Sequence, residues 1–187
     1  MGLENSSSRT ALMNGVETVM REDGYAALTA RSVAERAGLK HQLVYYYFQT
    51  MDDLLMATYQ RHIGRVQERT EAAFRQPRPL HAFWEVCSNP FDARLNMEFM
   101  AMANHNEAIR AETIAFGEQL RRIGLEQAAA RIEAAPIGRE MFSAFALTQA
   151  IAAIGSTVGI EAALGIQGGH DETRAMVDWW LNRLEPE

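Results

Sequence analysis

Residues 28–55 read LTARSVAERAGLKHQLVYYYFQTMDDLL, and no other stretch narrows the fold of this chain as much. Thr29 stands where a helix can begin, because its hydroxyl can accept one of the backbone N–H groups that a first helical turn leaves without a partner. ARSVAERA continues with helical spacing. Gly38 then ends the helix where a left-handed residue is needed, and only glycine takes a positive φ cheaply. A second short helix over residues 41–48 sets Val44 and Phe48 on one face, four positions apart. Val33, Ala37, Leu39 and Val44 supply apolar packing, and Ala34 is small enough for two helices to cross closely. Two short helices joined through a Gly-containing turn make a helix-turn-helix, or else an ordinary corner between helices in a core. The spacing alone leaves both open.

The rest of the sequence is helical in pattern, with no internal repeat and no β alternation. Residues 1–8 are polar and read as a loose arm. Leu12, Val16, Val19 and Met20 recur at the spacing of an amphipathic helix over residues 9–23, stopped at Gly24. A long helix follows over residues 52–74, with Asp52 and Asp53 at its positive end and Leu55, Tyr59, Ile63 and Val66 on its inner stripe. Gln76-Pro77-Arg78-Pro79 breaks it. Further helices are expected over residues 80–88, 92–104 and 107–133, then Pro136 punctuates. The expected fold is all-α: a three-helix head over residues 1–50 carrying the helix-turn-helix, and a helical domain over residues 51–187.

Composition bounds the function. The chain has 187 residues, 48% hydrophobic and 22% charged, enough to bury a sizeable core. Cys87 is the single cysteine, so no disulfide can form within the chain, and a reducing cytoplasm is expected. No apolar leader precedes a cleavage site. The net charge is −6, but residues 1–50 carry five Lys/Arg against five Asp/Glu, while residues 51–187 carry 13 against 19. If the head binds DNA, it must use a few well-placed cations, and its affinity should be modest and salt-sensitive. No catalytic pair, phosphate loop, metal cluster or cofactor motif is recognisable. His81 and Glu85 share a helix face without metal-ligand spacing, so no enzyme activity, metal or cofactor is expected.

Two regions of the second domain hold candidate binding surfaces. In its middle, Tyr59, Trp84, Met97, Met100, Phe116 and Phe142, with His105 and Gln149 as polar handles, suit a mostly apolar cavity. Flexible Met side chains adapt to apolar ligands, although each of these residues can equally be core. Residues 141–160 carry no charge, yet Ser143, Thr148, Gln149, Ser156 and Thr157 dilute them, and a buried helix is expected rather than a membrane span. Along this helix Ala152, Gly155, Ser156, Gly159 and Ala163 form a small-residue face. After a loop over residues 165–169, Asp171 caps a last helix with Met176, Val177, Trp180, Leu181 and Leu184 at helical spacing. The pair either closes the monomer core or meets a second copy.

The motif in residues 28–55 resembles the DNA-binding head of the TetR family of bacterial transcriptional regulators. The matching features are Thr29, Ala37-Gly38, Tyr45-Tyr46-Tyr47-Phe48 and Asp52-Asp53-Leu54, and the match covers roughly residues 9 to 60. Two positions depart from it: Met51 stands where many members have Lys, and Gln42 where many have Gly or Pro. The resemblance implies a homodimer, joined through its last two helices, whose heads lie about 34–36 Å apart on a near-palindromic operator. On that reading Arg31, Lys40, His41 and Gln42 reach base edges, where Gln can pair with adenine, and Leu43 meets a thymine methyl. Tyr45 and Tyr47 match positions that donate to phosphates, and Tyr46 can do either. Ala152, Gly155, Ser156, Gly159, Ala163, Val177, Trp180, Leu181 and Leu184 would then line the dimer interface. The function implied is a repressor released from its operator by a small, mostly apolar effector. The alternatives are a regulator without effector, or a helical enzyme or sequestering protein with a non-binding helix-turn-helix.

Overall fold

A computed structural model describes residues 2–134 and 143–186. Pro136 and Phe142, named above, lie outside the described residues. Within them the chain forms nine α-helices and no strand. These are α1 (Gly2–Asp23), α2 (Ala30–Arg36), α3 (Gln42–Phe48), α4 (Met51–Phe74), α5 (Pro79–Cys87), α6 (Pro90–Ala103), α7 (Glu107–Ala134), α8 (Ala144–Leu164) and α9 (His170–Leu184), with a 3-10 turn at Tyr25–Ala27.

The all-α expectation stands, with two local corrections. The polar arm expected over residues 1–8 is helical from Gly2. No proline or glycine follows Gly2 before Gly15, and extending an existing helix adds one hydrogen bond per residue fixed. At α9 the N-cap is Gly169, at φ +80, rather than Asp171. Asp171 and Glu172 instead occupy the first turn, where negative charge suits the helix dipole.

Backbone contacts divide the chain into two units, residues 1–64 with 95–113, and residues 65–94 with 114–187. The head therefore shares its unit with residues 51–64 and 95–113. In this first unit Leu12, Val16, Met20, Val33, Val44, Phe48, Leu54, Tyr59, Leu95, Phe99 and Ile109 form one buried cluster. Helix α1 lies so close to α2 that a Cβ on Gly15 would sit 2.5 Å from the Val33 carbonyl oxygen. Buried His62 of this unit meets Asn96 through Nε2 and stacks on Phe99 at 5.5 Å. Arg61 donates to Glu17 at 2.7 Å.

In the second unit α5 packs against α8 and α9. Phe74, Leu80, Phe83, Trp84, Ala128, Leu147, Ile151, Val158, Val177 and Leu181 form its core. The small-residue face of α8 serves this packing. A Cβ on Gly155 would lie 2.7 Å from the Cys87 Cβ, and one on Gly159 would lie 3.3 Å from the Ser88 carbonyl. Gly155 and Gly159 thus meet the end of α5 within the chain, which corrects the expectation that they face a second copy. Val177 and Leu181, 1% and 0% exposed, are likewise corrected from interface to core. Helix α8 is long and apolar enough by composition to cross a membrane, but its Leu147, Ile151 and Val158 are spent on this core.

The unit is closed by the residue after α9. The carboxylate of Glu185, buried, accepts from the backbone N–H of Leu80 at 2.9 Å and of His81 at 3.3 Å, and pairs with His81 Nδ1 at 2.8 Å. It thereby satisfies orphan donors in the first turn of α5, where Pro79 has none to offer and Arg78 contributes no side-chain cap.

Candidate nucleic-acid interface

Helix α2 begins with a reciprocal cap. Thr29 Oγ1 accepts from the Ser32 backbone N–H at 3.0 Å, and Ser32 Oγ accepts from the Thr29 N–H at 3.0 Å. Ser32 Oγ also reaches the Ala27 carbonyl at 2.8 Å, which ties the start of α2 to the preceding turn. At the other end Gly38 takes φ +66, and the Leu39 N–H returns to the Ala34 carbonyl at 2.9 Å. The turn is therefore fixed by backbone bonds before α3 starts.

Helix α3 buries one face and shows the other. Val44 and Phe48, 0% and 4% exposed, anchor it in the first core. That fixes its rotation, so Gln42, Tyr45 and Tyr46 turn to solvent, Tyr46 being 70% exposed. Leu43 and Tyr47 are half-buried against the core, and the Tyr47 ring meets Tyr46 edge-on at 4.9 Å. Lys40 and His41, just before the helix, are exposed, as is Arg31 in the first turn of α2. Six of the eight residues expected at DNA are thus open on one short stretch, and two support it from beneath.

Three acidic residues of the head are held by arginines, while Glu35 stands exposed on α2. Glu22 and Asp23 are both held by Arg36, and Glu17 by Arg61. Arg31 and Lys40 have no carboxylate partner among the described residues. A segment of zero net charge therefore presents free cations where α2 and α3 begin, the disposition that phosphate attraction requires.

Two contributions escaped the sequence reading. Thr50 and Asp53 form a second reciprocal cap at the start of α4, with Asp53 N–H on Thr50 Oγ1 at 3.1 Å and Thr50 N–H on Asp53 Oδ2 at 3.2 Å. Asp53 thus fixes the helix that follows the recognition segment, beyond favouring its dipole. The T-x-x-D spacing was the available signal. The other is Arg9, whose guanidinium lies 4.8 Å over the Phe48 ring. No short-range pattern could announce a pair so distant in sequence.

Residues 13–58 match the family model for the bacterial regulatory proteins of the tetR family. The head of this chain is therefore a TetR-family DNA-binding domain. Solved TetR-family structures also share its fold throughout. A TetR transcription regulator from Haloarcula marismortui is 20% identical, with TM-score 0.76, covering 95% of this chain and 97% of its own. A TetR-like transcriptional regulator from Rhodococcus sp. RHA1 is 16% identical, with TM-score 0.66 and coverages of 96% and 97%. One from Marinobacter aquaeolei is 19% identical, with TM-score 0.62 and coverages of 99% and 97%. At such identities the likeness fixes the fold and nothing finer. No curated protein matches the chain in sequence.

The residues expected to line an effector site are spread over both units. Tyr59, Met97, Met100 and His105 belong to the first, and Trp84, Phe116 and Gln149 to the second. Tyr59 is a core residue whose hydroxyl meets Thr113 Oγ1 at 2.8 Å. Burial raises its pKa, partly offset by that hydrogen bond and added to by the charge of Glu112. Trp84 is core as well, whereas Met100 is 63% exposed and His105 is exposed. Met97, Phe116 and Gln149 are half-buried. Exposure of Met100 corrects its assignment as a lining residue, because its helical phase places Phe99 inward instead.

A cleft of about 400 Å³ opens elsewhere in the second unit, lined by Ala153, Thr157, Glu161, His170 and Thr173 among others, none of them a residue expected at the effector site. Within it His170 Nε2 meets Glu161 at 2.9 Å. Burial pushes the thiol of Cys87, beside α8, up to about 12, which disfavours the reactive thiolate. Of the remaining residues expected at a dimer interface, Ser156 is exposed, and Ala152, Ala163, Trp180 and Leu184 are half-buried. The sequence reading passed over Leu164 and Trp179, 64% and 54% exposed on the same two helices.

Proposed function

We propose that this TetR-family regulator is a homodimeric repressor that lays α3 in the major groove of a near-palindromic operator and leaves it when a small, mostly apolar effector binds the helical domain. The observation that carries the DNA part is the exposed front of Arg31, Lys40, His41, Gln42, Tyr45 and Tyr46, presented by a capped α2 and by an α3 anchored through Val44 and Phe48. Lys40, His41 and Gln42 are assigned to base edges or phosphates beside them, and the tyrosines position the head through phosphates. The dimer is assigned to the outer sides of α8 and α9, with Ser156, Ala163, Leu164 and Trp179 in place of the glycines. Repression and effector release rest on family likeness, as does action in the cytoplasm.

The test is a mobility shift with DNA from the promoter region of the chain's own gene, with and without hydrophobic candidates, beside thermal melting with the same compounds. Binding lost on adding a compound that also raises the melting temperature supports the full reading. Binding indifferent to every compound leaves a regulator without effector, and no binding to any duplex removes the function.

A further inference from the structure

We infer that Arg9 clamps a DNA phosphate at the far end of the recognition helix, an assignment that rests on the DNA-binding reading above. Seven residues of α3 span roughly 10 Å, close to the roughly 12 Å width of the major groove. A helix seated there has a phosphate strand near each end. The two partner-free cations of the helix-turn-helix, Arg31 and Lys40, both stand where α2 and α3 begin. The other end of α3 is followed by Asp52 and Asp53, and exposed Asp52 would repel a phosphate. Met51, at the start of α4, brings no charge.

Arg9 fills this gap. Its side chain is exposed, it has no carboxylate partner among the described residues, and its guanidinium stands 4.8 Å over the ring of Phe48, the last residue of α3. The other head arginines differ. Arg36 is held by Glu22 and Asp23, and Arg21 is engaged elsewhere within the chain. The contact with the Phe48 ring holds the guanidinium against the end of α3 while its N–H groups stay open, since a cation over a ring uses none of its donors on it. A planar fork held in this way suits a phosphate oxygen pair. Arg9 is thus a positioning residue: it attracts every sequence alike and fixes how deeply α3 enters the groove.

The experiment uses full-length protein and a duplex that the wild type recovers from a random pool, with affinity measured from 50 mM to 200 mM salt for wild type, Arg9→Met and Arg9→Lys. Methionine keeps the Phe48 ring covered without charge, and melting of each protein without DNA reports any loss of fold. The expected result is an Arg9→Met protein that melts like the wild type, binds more weakly, and has a salt slope lower by about 1. Its deficit should shrink about three- to fourfold over that salt range. Arg9→Lys should keep most of the slope. A wild-type slope in Arg9→Met, or a loss of affinity that follows a lowered melting temperature in both variants, overturns the assignment. A wild type that recovers no duplex overturns the DNA-binding reading itself, and Arg9 falls with it.

Discussion

Helices α2–α3 and helices α8–α9 are both built on apolar and small residues at helical spacing, yet they place those residues differently. In the first pair Val33, Ala34, Val44 and Phe48 go inward, and six of the eight residues expected at DNA go outward. In the second, the residues that looked like a surface for another chain, Gly155, Gly159, Val177 and Leu181, are consumed by α5 and the core of their own unit. Of the two seven-residue helices, α2 is held by its cap and the glycine turn and α3 by the buried Val44–Phe48 pair, so local chemistry fixes which side faces out. The longer, nearly uncharged α8 has little such local instruction, and which neighbour meets its small residues depends on the tertiary fold. A small-residue stripe says that something approaches closely. It does not say what.

The comparison can be broken or sharpened by substitution. Gly155→Leu should have the largest effect, because its side chain would begin 2.7 Å from Cys87 Cβ and 3.2 Å from the Cys87 carbonyl carbon. Overpacking of this kind costs about 1–3 kcal/mol, and more where backbone must move. Denaturant melts should therefore show a destabilised fold; a stable, cleanly monomeric Gly155→Leu protein would return the glycine to an interchain face. Glu185→Ala comes next. It leaves the Leu80 N–H buried and unsatisfied, at a cost of about 1–3 kcal/mol. Urea unfolding measures it, and an unchanged midpoint would mean that the carboxylate does not hold α5.

Thr29→Ala should cost about 1 kcal/mol through the lost cap. A comparable loss in Ser32→Ala would confirm that the cap works reciprocally, and an unaffected Ser32→Ala would reduce it to a single bond. Smallest of all is Met100→Asp. At 63% exposure its side chain should change stability by no more than about 0.5 kcal/mol. A large loss would show that Met100 is covered in the functional protein, by a ligand or by a partner.

These differences also explain how far the sequence could be read. Thr29, Gly38 and the Val44–Phe48 pair were legible because cap, turn and anchoring face are written within a few residues of one another. The exposed residues of α3 followed from that face, and the likeness to the TetR family added their roles. Arg9 over Phe48 and Gly155 against Cys87 were not legible, because each joins helices that the chain separates widely. Glu185 capping α5 spans 105 positions and carries no motif at either end. The expected effector lining failed in part for a related reason: a run such as Phe99, Met100, Ala101, Met102 is apolar throughout, and only packing decides that Phe99 and Met102 go inward while Met100 does not.

The central claim is that the outward face of α3 reads DNA. It is tested most directly by the affinity of wild type, Gln42→Ala and Tyr45→Phe for the selected duplex and for each of its single base-pair variants. Both side chains are exposed, so neither substitution should disturb the fold. Gln42→Ala should lose about 1–3 kcal/mol of discrimination at one base pair in each half-site, with the other positions unaffected. Tyr45→Phe should weaken binding to every variant by the same factor. If Gln42→Ala discriminates at every position as the wild type does, and Tyr45→Phe binds as tightly, the exposed front of α3 is not the reading surface, and the claim fails.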